Sequence, residues 1–468
     1  MNEIRKWVEE QKNAWLEDAM KLIRIKSVSE PGSHPVYPYG EGCAKVLDAA
    51  LALAESMGFE TENHEYQCGS VLLRGETDEE IGIFCHLDVV HEGDGWPTPP
   101  YEPYADETWL YGRGSQDNKG PLMTALYAMK YLKDHNAKLK HTIRLYMGCS
   151  EELGMTDIIY YAENYKLPEF SFVADCGFTV CYAEKGILEA EFSRKLDSDV
   201  LRSFEGGVSG NAVPGVASAK LLVENPQDLA EYVSGLENAD DFIVEWAGKM
   251  VEITAKGRPA HAAFPEGSDG AIVKLAKMLR KSPFLDNKAM ECLAFVDECF
   301  DGYYGEGMQV TCEDEITGKL TLVGGTVLLK DGRLVQSINV RYPATADQEW
   351  LIAGIRKAVA DYGWEEDWLN NNKANMFDVN DPKIQVMVDT FEKVTGIEDC
   401  PPYTMGGGTY ARKLPNAVGF GPCMRPPYRV KPAGMGNSHQ INECTHIGDQ
   451  MNGMEIYIRV LPKIDEMV

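Results

Sequence analysis

Glu151 and Glu152 stand side by side behind an alternating apolar run, Ile143, Leu145 and Met147, that reads as a strand, so both carboxylates emerge at a strand end. Open α/β sheets keep their reactive groups beyond the carboxyl ends of their strands. Four further segments place acids or imidazoles at similar strand-to-loop positions: His86 and Asp88 in IFCHLDVV, Asp117 in GRGSQDNKG, Asp175 in SFVADCGF and His439 in GMGNSHQINE. Like charges about 4 Å apart repel by roughly 4 kcal/mol at an effective dielectric near 20. Five converging carboxylates therefore require cations or raised pKa values. The pattern points to a dinuclear metal site, and ligation by carboxylate and imidazole without thiolate suits zinc, with manganese or cobalt as substitutes.

Each piece alone has a plainer reading. His86 and Asp88 share a face of any strand, and a local hydrogen bond explains the pair; read functionally, Asp88 accepts the proton of His86 and fixes its tautomer. Glu151 and Glu152 alone would suit a helix N-terminus. The joint pattern, each member beside a strand or a Gly-rich turn, shifts the reading to metal. GRGSQDNKG departs from the G-x-G-x-x-G spacing, and no phosphate-binding lysine motif occurs, which argues against nucleotide binding. Cys85 and Cys149 read as small buried core residues, not nucleophiles.

The elements that must position these groups alternate between helix-like and strand-like patterns from about residue 42 to 183: CAKVLDAALALAESMG, IGIFCHLDVV, PLMTALYAMKYLKDH, TIRLYMGCSEE, then SFVADCG. This order predicts crossover units and a mainly parallel sheet with helices on both faces. Pro121 is expected at the first position of a helix that follows the SQDN turn. From 184 to 377 the strands ILEAEFSRKL, MVEITAKG, TLVGGTVLLKDG and LVQSINVRYP, with helical stretches between them, predict an inserted α+β domain with a weak pseudo-repeat. His439 must return to the acids of the first half. The expected organisation is a discontinuous α/β catalytic domain, 1–183 and 378–468, interrupted by a lid at 184–377.

At 468 residues the chain is too long for one ordinary core. Its formal charge of −28 disfavours nucleic acid and anionic membranes as partners. The N-terminal stretch carries acids throughout and reads as an amphipathic helix, not a secretory signal; no run is long and apolar enough for a membrane span. Twelve cysteines scattered without a C-x-x-C pair suit a cytoplasmic protein with reduced thiols.

The order of H-x-D, Asp-Asn-Lys-Gly, Glu-Glu, a later Asp and a C-terminal His resembles the dinuclear-zinc metallopeptidase family of aminoacylases, carnosinases and bacterial dipeptidases. PepV-type dipeptidases are the nearest likeness, through chain length, the long insertion and the strings GGGTYAR and SHQINE. The resemblance implies that Asp117 bridges two zinc ions, that His86 and Asp175 complete one site, that Glu152 and His439 complete the other, and that Glu151 is the general base. It also implies a cis peptide between Asp117 and Asn118. His261 in KGRPAHAAFPEG matches the position that approaches the reacting carbonyl oxygen, and Asn211 and Arg341 match positions near the substrate carboxylate. Gly406, Gly407 and Gly408 in TMGGGTYAR offer backbone N–H groups that could cradle a carboxylate, or form a tight turn. The expected activity is hydrolysis of dipeptides with a free N-terminus by a monomer whose two-part lid replaces a dimer partner. An N-acyl-amino-acid deacylase, or a non-catalytic metal- or peptide-binding protein, is the alternative.

Overall fold

A computed structural model describes residues 3–468. The chain divides into two compact units: Met1–Tyr182, Met376–Tyr403 and Thr409–Val468 form the first, and Ala183–Asn375 with Thr404–Gly408 form the second. The five residues Thr404–Gly408, placed by sequence in the C-terminal catalytic part, thus group with the inserted segment. Arg341 is one reason, since its Nη1 donates to the carbonyl oxygen of Gly406 at 3.3 Å.

The first unit is built on a sheet ordered Glu60–His64, Cys68–Leu73, Thr142–Gly148, Glu80–His86, Phe170–Val173 and Ala417–Phe420. The last four strands are mutually parallel. Their near-continuous burial, every residue of Thr142–Gly148 included, is what two covered faces demand. The first two strands are antiparallel, and beyond Ala417–Phe420 the strand Val180–Glu184 also pairs antiparallel, so the expected mainly parallel sheet is parallel at its centre and antiparallel on both sides; the hairpin Glu60–Leu73 makes one of these sides. The cause is local: Glu65 and Tyr66, both at positive φ, form a tight hairpin turn where a crossover helix would be needed for parallel pairing.

Period-two alternation sends neighbours along each strand to opposite faces. Ile83, Leu145 and Met147 pack under the helices Glu3–Ile23, Gly40–Ser56, Lys119–Asp134 and Ile447–Asp465 through Trp15, Leu47, Leu126 and Ile456. Phe84 and Tyr146 pack on the other side under the short helix Thr156–Asn164 and the turn Tyr410–Lys413. Helices therefore cover both faces, unequally. Lys119–Asp134 begins two residues before Pro121, placing the proline at the third position. The first turn tolerates it because those N–H groups have no intrahelical partner.

The second unit carries an eight-stranded sheet ordered Phe242–Ala247, Met250–Lys256, Val216–Leu222, Leu201–Gly206, Thr321–Lys330, Arg333–Tyr342, Gly186–Lys195 and Glu365–Asn372. All its pairings are antiparallel. Two four-stranded halves meet at only two residue pairs, Glu205 with Leu328 and Gly206 with Val327. Helices Pro226–Ser234, Ala271–Lys281, Asn287–Cys299 and Gln348–Asp361 cover the sheet through Leu229, Leu275, Phe295 and Ile355. Asn287–Cys299 is absent from the sequence reading, although its cap was legible: Asp286 accepts from the Ala289 N–H at 2.8 Å. Among the described residues no helix is long and apolar enough to cross a membrane.

Candidate metal centre

Three neighbouring parallel strands at the centre of the first unit's sheet deliver their side chains at their carboxyl ends. Glu80–His86 ends in His86, Thr142–Gly148 leads into the turn that carries Glu151 and Glu152, and Phe170–Val173 runs out two residues before Asp175. Asp117 precedes the helix that starts at Lys119, and its peptide bond to Asn118 is cis. His439 lies on the loop before the C-terminal helix, at a φ of 63°.

The carboxylate of Asp117 sits between two imidazoles. Its Oδ1 is 2.9 Å from His86 Nε2 and its Oδ2 is 3.1 Å from His439 Nε2. Asp175 Oδ2 lies 3.5 Å from His86 Nε2, and Glu152 Oε2 lies 3.1 Å from His439 Nε2. Donors held about 2.0–2.1 Å from a tetrahedral ion are roughly 3.3 Å from one another, so these separations match ligand shells. His86 groups with Glu151 and Asp175, and again with Asp117 and Glu152, with ligating atoms within 4.8 Å.

The electrostatics of the cluster show a deficit of positive charge. Against the cost of burial, Asp175, Asp117 and Asp88 hold His86 well above its usual pKa. Hydrogen bonds to Asp117 and Glu152 push His439 up to about 11. Burial and the charge of Asp117 push Glu152 up to about 7, with His439 opposing, and burial with Asp117 raises Asp175. Only Asp117 is held below its ordinary range: burial would raise it, but bonds from His439 and His86 outweigh that cost. Protons are thus drawn to where divalent cations would take their place.

Glu151 stands apart. Burial, reinforced by Asp175, Glu152 and Asp88 and opposed by His86, lifts its carboxyl well above the usual range. Its buried Oε1 has no hydrogen-bond partner. A shared carboxylate, two imidazoles, flanking acids, no thiolate and one spare buried carboxyl oxygen together fit a pair of divalent cations with a base beside them.

Asp88 meets His86 through its backbone as well as its side chain. His86 Nδ1 donates to the backbone carbonyl oxygen of Asp88 at 2.9 Å, while the nearer carboxylate oxygen is 3.4 Å away. That carboxylate also accepts two consecutive backbone N–H groups, those of Glu151 and Glu152, each at 3.1 Å. The carbonyl still fixes the ring, leaving Nε2 toward the acids, while the side chain braces the Glu151–Glu152 turn. Asp157 extends the brace, its Oδ2 accepting from the N–H groups of Cys149 at 2.7 Å and Ser150 at 2.9 Å and from the Tyr410 hydroxyl.

The second unit holds the remaining expected residues. His261 and Asn211 lie on adjoining segments, with Ala212 paired to His261 and the Ala262 N–H donating to the Asn211 carbonyl oxygen at 2.9 Å. His261 Nδ1 accepts the Ala263 N–H at 3.1 Å, so a neutral ring carries its proton on Nε2. Arg341 is buried; its Nε donates to Asn339 Oδ1 at 2.8 Å, and Asn339 Nδ2 donates to Glu189 Oε1 at 3.0 Å. Gly406 lies beside Ala263, where an added Cβ would come within 3.0 Å of the alanine methyl. Gly407 has open space at that position, and Gly408 ends the segment grouped with this unit.

Sequence reasoning passed over Asn118, Asp157 and Glu443. Asn118 Nδ2 donates to Asp175 Oδ1 at 3.0 Å and to the Ala174 carbonyl oxygen at 2.7 Å. Its signal was its place beside Asp117; that of Asp157 was a Thr-Asp pair opening a helix.

A profile of Peptidase family M20/M25/M40 matches residues 82–463. The chain is 30% identical over 466 residues to the Bacillus subtilis (strain 168) protein named "Putative dipeptidase YtjP", with 96% of this chain and 97% of that protein covered. The crystal structure of human carnosine dipeptidase 1 is similar at a TM-score of 0.58 and 13% identity, over 99% of this chain and 98% of that one. That of the di-peptidase Dug1p from Saccharomyces cerevisiae is similar at 0.58 and 15%, over 99% and 98%. The two structures share the fold. Matched across its sheet, its insertion and every segment that supplies the cluster around Asp117, the chain belongs to Peptidase family M20/M25/M40.

Proposed function

We propose that this chain is a metal-dependent dipeptidase that hydrolyses the peptide bond of dipeptides with a free N-terminus. The observation that carries the reading is the Asp117 carboxylate, whose two oxygens face two different imidazoles at 2.9 and 3.1 Å while Glu151 stays outside both pairs. His86, Asp117 and Asp175 would hold one divalent cation, and Asp117, Glu152 and His439 the other, zinc first, with manganese or cobalt as substitutes. When bound, such ions polarise a carbonyl and bring the pKa of water from 15.7 down to about 7.

The remaining work falls to the chain's own groups. Glu151 takes the proton of the attacking water and returns it to the leaving amine, a role suited to a carboxyl whose affinity for protons is raised by burial. His261 donates its Nε2–H to the oxygen on which negative charge develops. Arg341, Asn211 and the Gly406–Gly408 backbone receive the substrate carboxylate, and residues 184–377 act as the lid that limits length. The name printed for the Bacillus subtilis relative supports a dipeptide substrate. A monomer working in the cytoplasm completes the reading.

The test is to strip the full-length protein with a chelator, restore zinc, manganese or cobalt, and assay dipeptides, tripeptides and N-acetyl amino acids. Metal-restored cleavage confined to dipeptides is expected. Cleavage of N-acetyl amino acids alone would make the protein a deacylase, and no turnover with any metal would make it a binding protein.

A further inference from the structure

The fully buried acid Glu443 has no part in the chemistry above. Its Oε2 accepts from Arg113 Nη1 at 2.7 Å and from the Gly114 N–H at 3.1 Å. Its Oε1 accepts from the N–H groups of Gln116 at 2.8 Å and Asp117 at 3.1 Å. Its own carbonyl oxygen accepts from the Gly112 N–H at 3.0 Å. One residue thus holds the segment 112–117, which ends in the carboxylate shared by the two imidazoles.

Glu443 also sits four residues after His439, on the same loop. That loop is closed by the Gly436 N–H donating to Asn442 O at 2.8 Å. Lys431 Nζ donates to Gly436 O at 2.6 Å, to Cys444 O and to Gln116 Oε1, which ties the His439 loop to the Asp117 segment a second time. The plain alternative is that Glu443 exists to neutralise Arg113. Arg113 accounts for one of the four contacts to the carboxylate; the other three go to backbone leading to Asp117. Burying an ionised carboxylate is costly unless every oxygen lone pair finds a donor, and here the donors are mainly the amides of that segment.

We infer that Glu443 is a positioning residue that fixes Asp117 relative to the His439 loop and so sets the affinity of the chain for its metal pair. This rests on the dinuclear reading of the site. The conservative variant Glu443→Gln keeps the shape, but its NH2 group meets the N–H of Gln116 and Asp117 or that of Arg113 and Gly114. Arg113→Lys keeps the carboxylate and its three amide contacts.

The experiment is zinc titration of metal-free full-length protein by calorimetry, with circular dichroism to verify folding. Outer partners of metal ligands are worth 10–100-fold in affinity, so Glu443→Gln should raise the zinc dissociation constants by about that factor and Arg113→Lys by less than about threefold. Should the Gln variant not fold, Glu443→Asp, one methylene too short for the Gln116 and Asp117 amides, is read in its place. The inference is overturned if a folded Glu443 variant binds zinc like the wild type, or if Arg113→Lys loses as much. It is equally overturned if neither Glu443 variant folds while Arg113→Lys does, because the role is then one in folding. Wild-type protein that binds no zinc would instead remove the proposed function, so the two failures are distinct.

Discussion

Replacing Asp88 by asparagine separates two accounts of one carboxylate. In the structure its oxygens receive the consecutive N–H groups of Glu151 and Glu152, both at 3.1 Å, while His86 Nδ1 is held by the residue's backbone carbonyl. A carboxamide keeps one acceptor and turns an NH2 group toward the other amide. The turn then loses one charge-assisted bond, worth about 1.5–3 kcal/mol, and buries an unsatisfied donor at a cost of about 1–3 kcal/mol. Taking about 3 kcal/mol as the share that displaces Glu151 in the transition state, kcat should fall roughly 100-fold, since each 1.36 kcal/mol is a decade. The backbone carbonyl that holds His86 survives, so metal content should not change. The assay is kcat and KM on a cleaved dipeptide at saturating zinc, with bound metal measured on the same sample. Metal loss with normal turnover per loaded molecule would refute this reasoning and return the carboxylate to His86.

Three further outcomes follow from other residues. Glu151→Gln should lower kcat by roughly 10²–10⁴-fold with metal content unchanged, the scale of a lost general base; loss of metal instead would make Glu151 a ligand. Arg341→Ala should raise KM for dipeptides and leave C-terminally amidated analogues, which lack the carboxylate, little affected; an equal change for both would remove Arg341 from carboxylate binding. His64 is a buried histidine outside the cluster around Asp117, its Nε2 2.9 Å from Ser70 Oγ, and burial lowers its pKa despite Glu62. The unfolded chain therefore binds the proton more readily, and the stability this neutral ring contributes is present above about pH 6.5 and is lost as pH falls through that value. The stability of wild type relative to His64→Gln, from urea midpoints of metal-free protein, should shrink as pH drops from 7.5 to 5.5, and a constant difference would count against it.

The sequence was most legible where one residue type has one use. His86, Asp117, Glu151, Glu152, Asp175 and His439 stood out because acids and imidazoles at strand ends are costly without a counter-charge, and the structure gathers them beyond the carboxyl ends of the central strands. The sheet was legible to the extent that fully apolar runs mark buried parallel strands; the antiparallel hairpin Glu60–Leu73 was not, because Glu65 and Tyr66 give no glycine signal for a tight turn. The bracing residues were hidden for another reason. Asp88, Asp157 and Glu443 all bond to backbone N–H groups. Backbone amides are the same at every position, so nothing in the sequence shows which amide a carboxylate serves. Asp88 was accordingly matched to the nearest side chain, His86.

The parallel pairing of Phe170–Val173 with Ala417–Phe420 has a consequence for biosynthesis. Three strands that supply His86, Glu151, Glu152 and Asp175 leave the ribosome early, but the neighbour of Phe170–Val173 follows only after the whole insertion. At about 5–20 residues per second that wait lasts tens of seconds. During it the nascent sheet carries an open, apolar edge, the type of surface that recruits stray strands. Asp175 is already made while His439 is not, so under the proposed ligand set the residues for one cation, His86, Asp117 and Asp175, are complete before those for the other. The interruption that gives the enzyme its second unit thus imposes an order on its birth, with an exposed strand to shelter until the carboxyl-terminal segment closes the sheet.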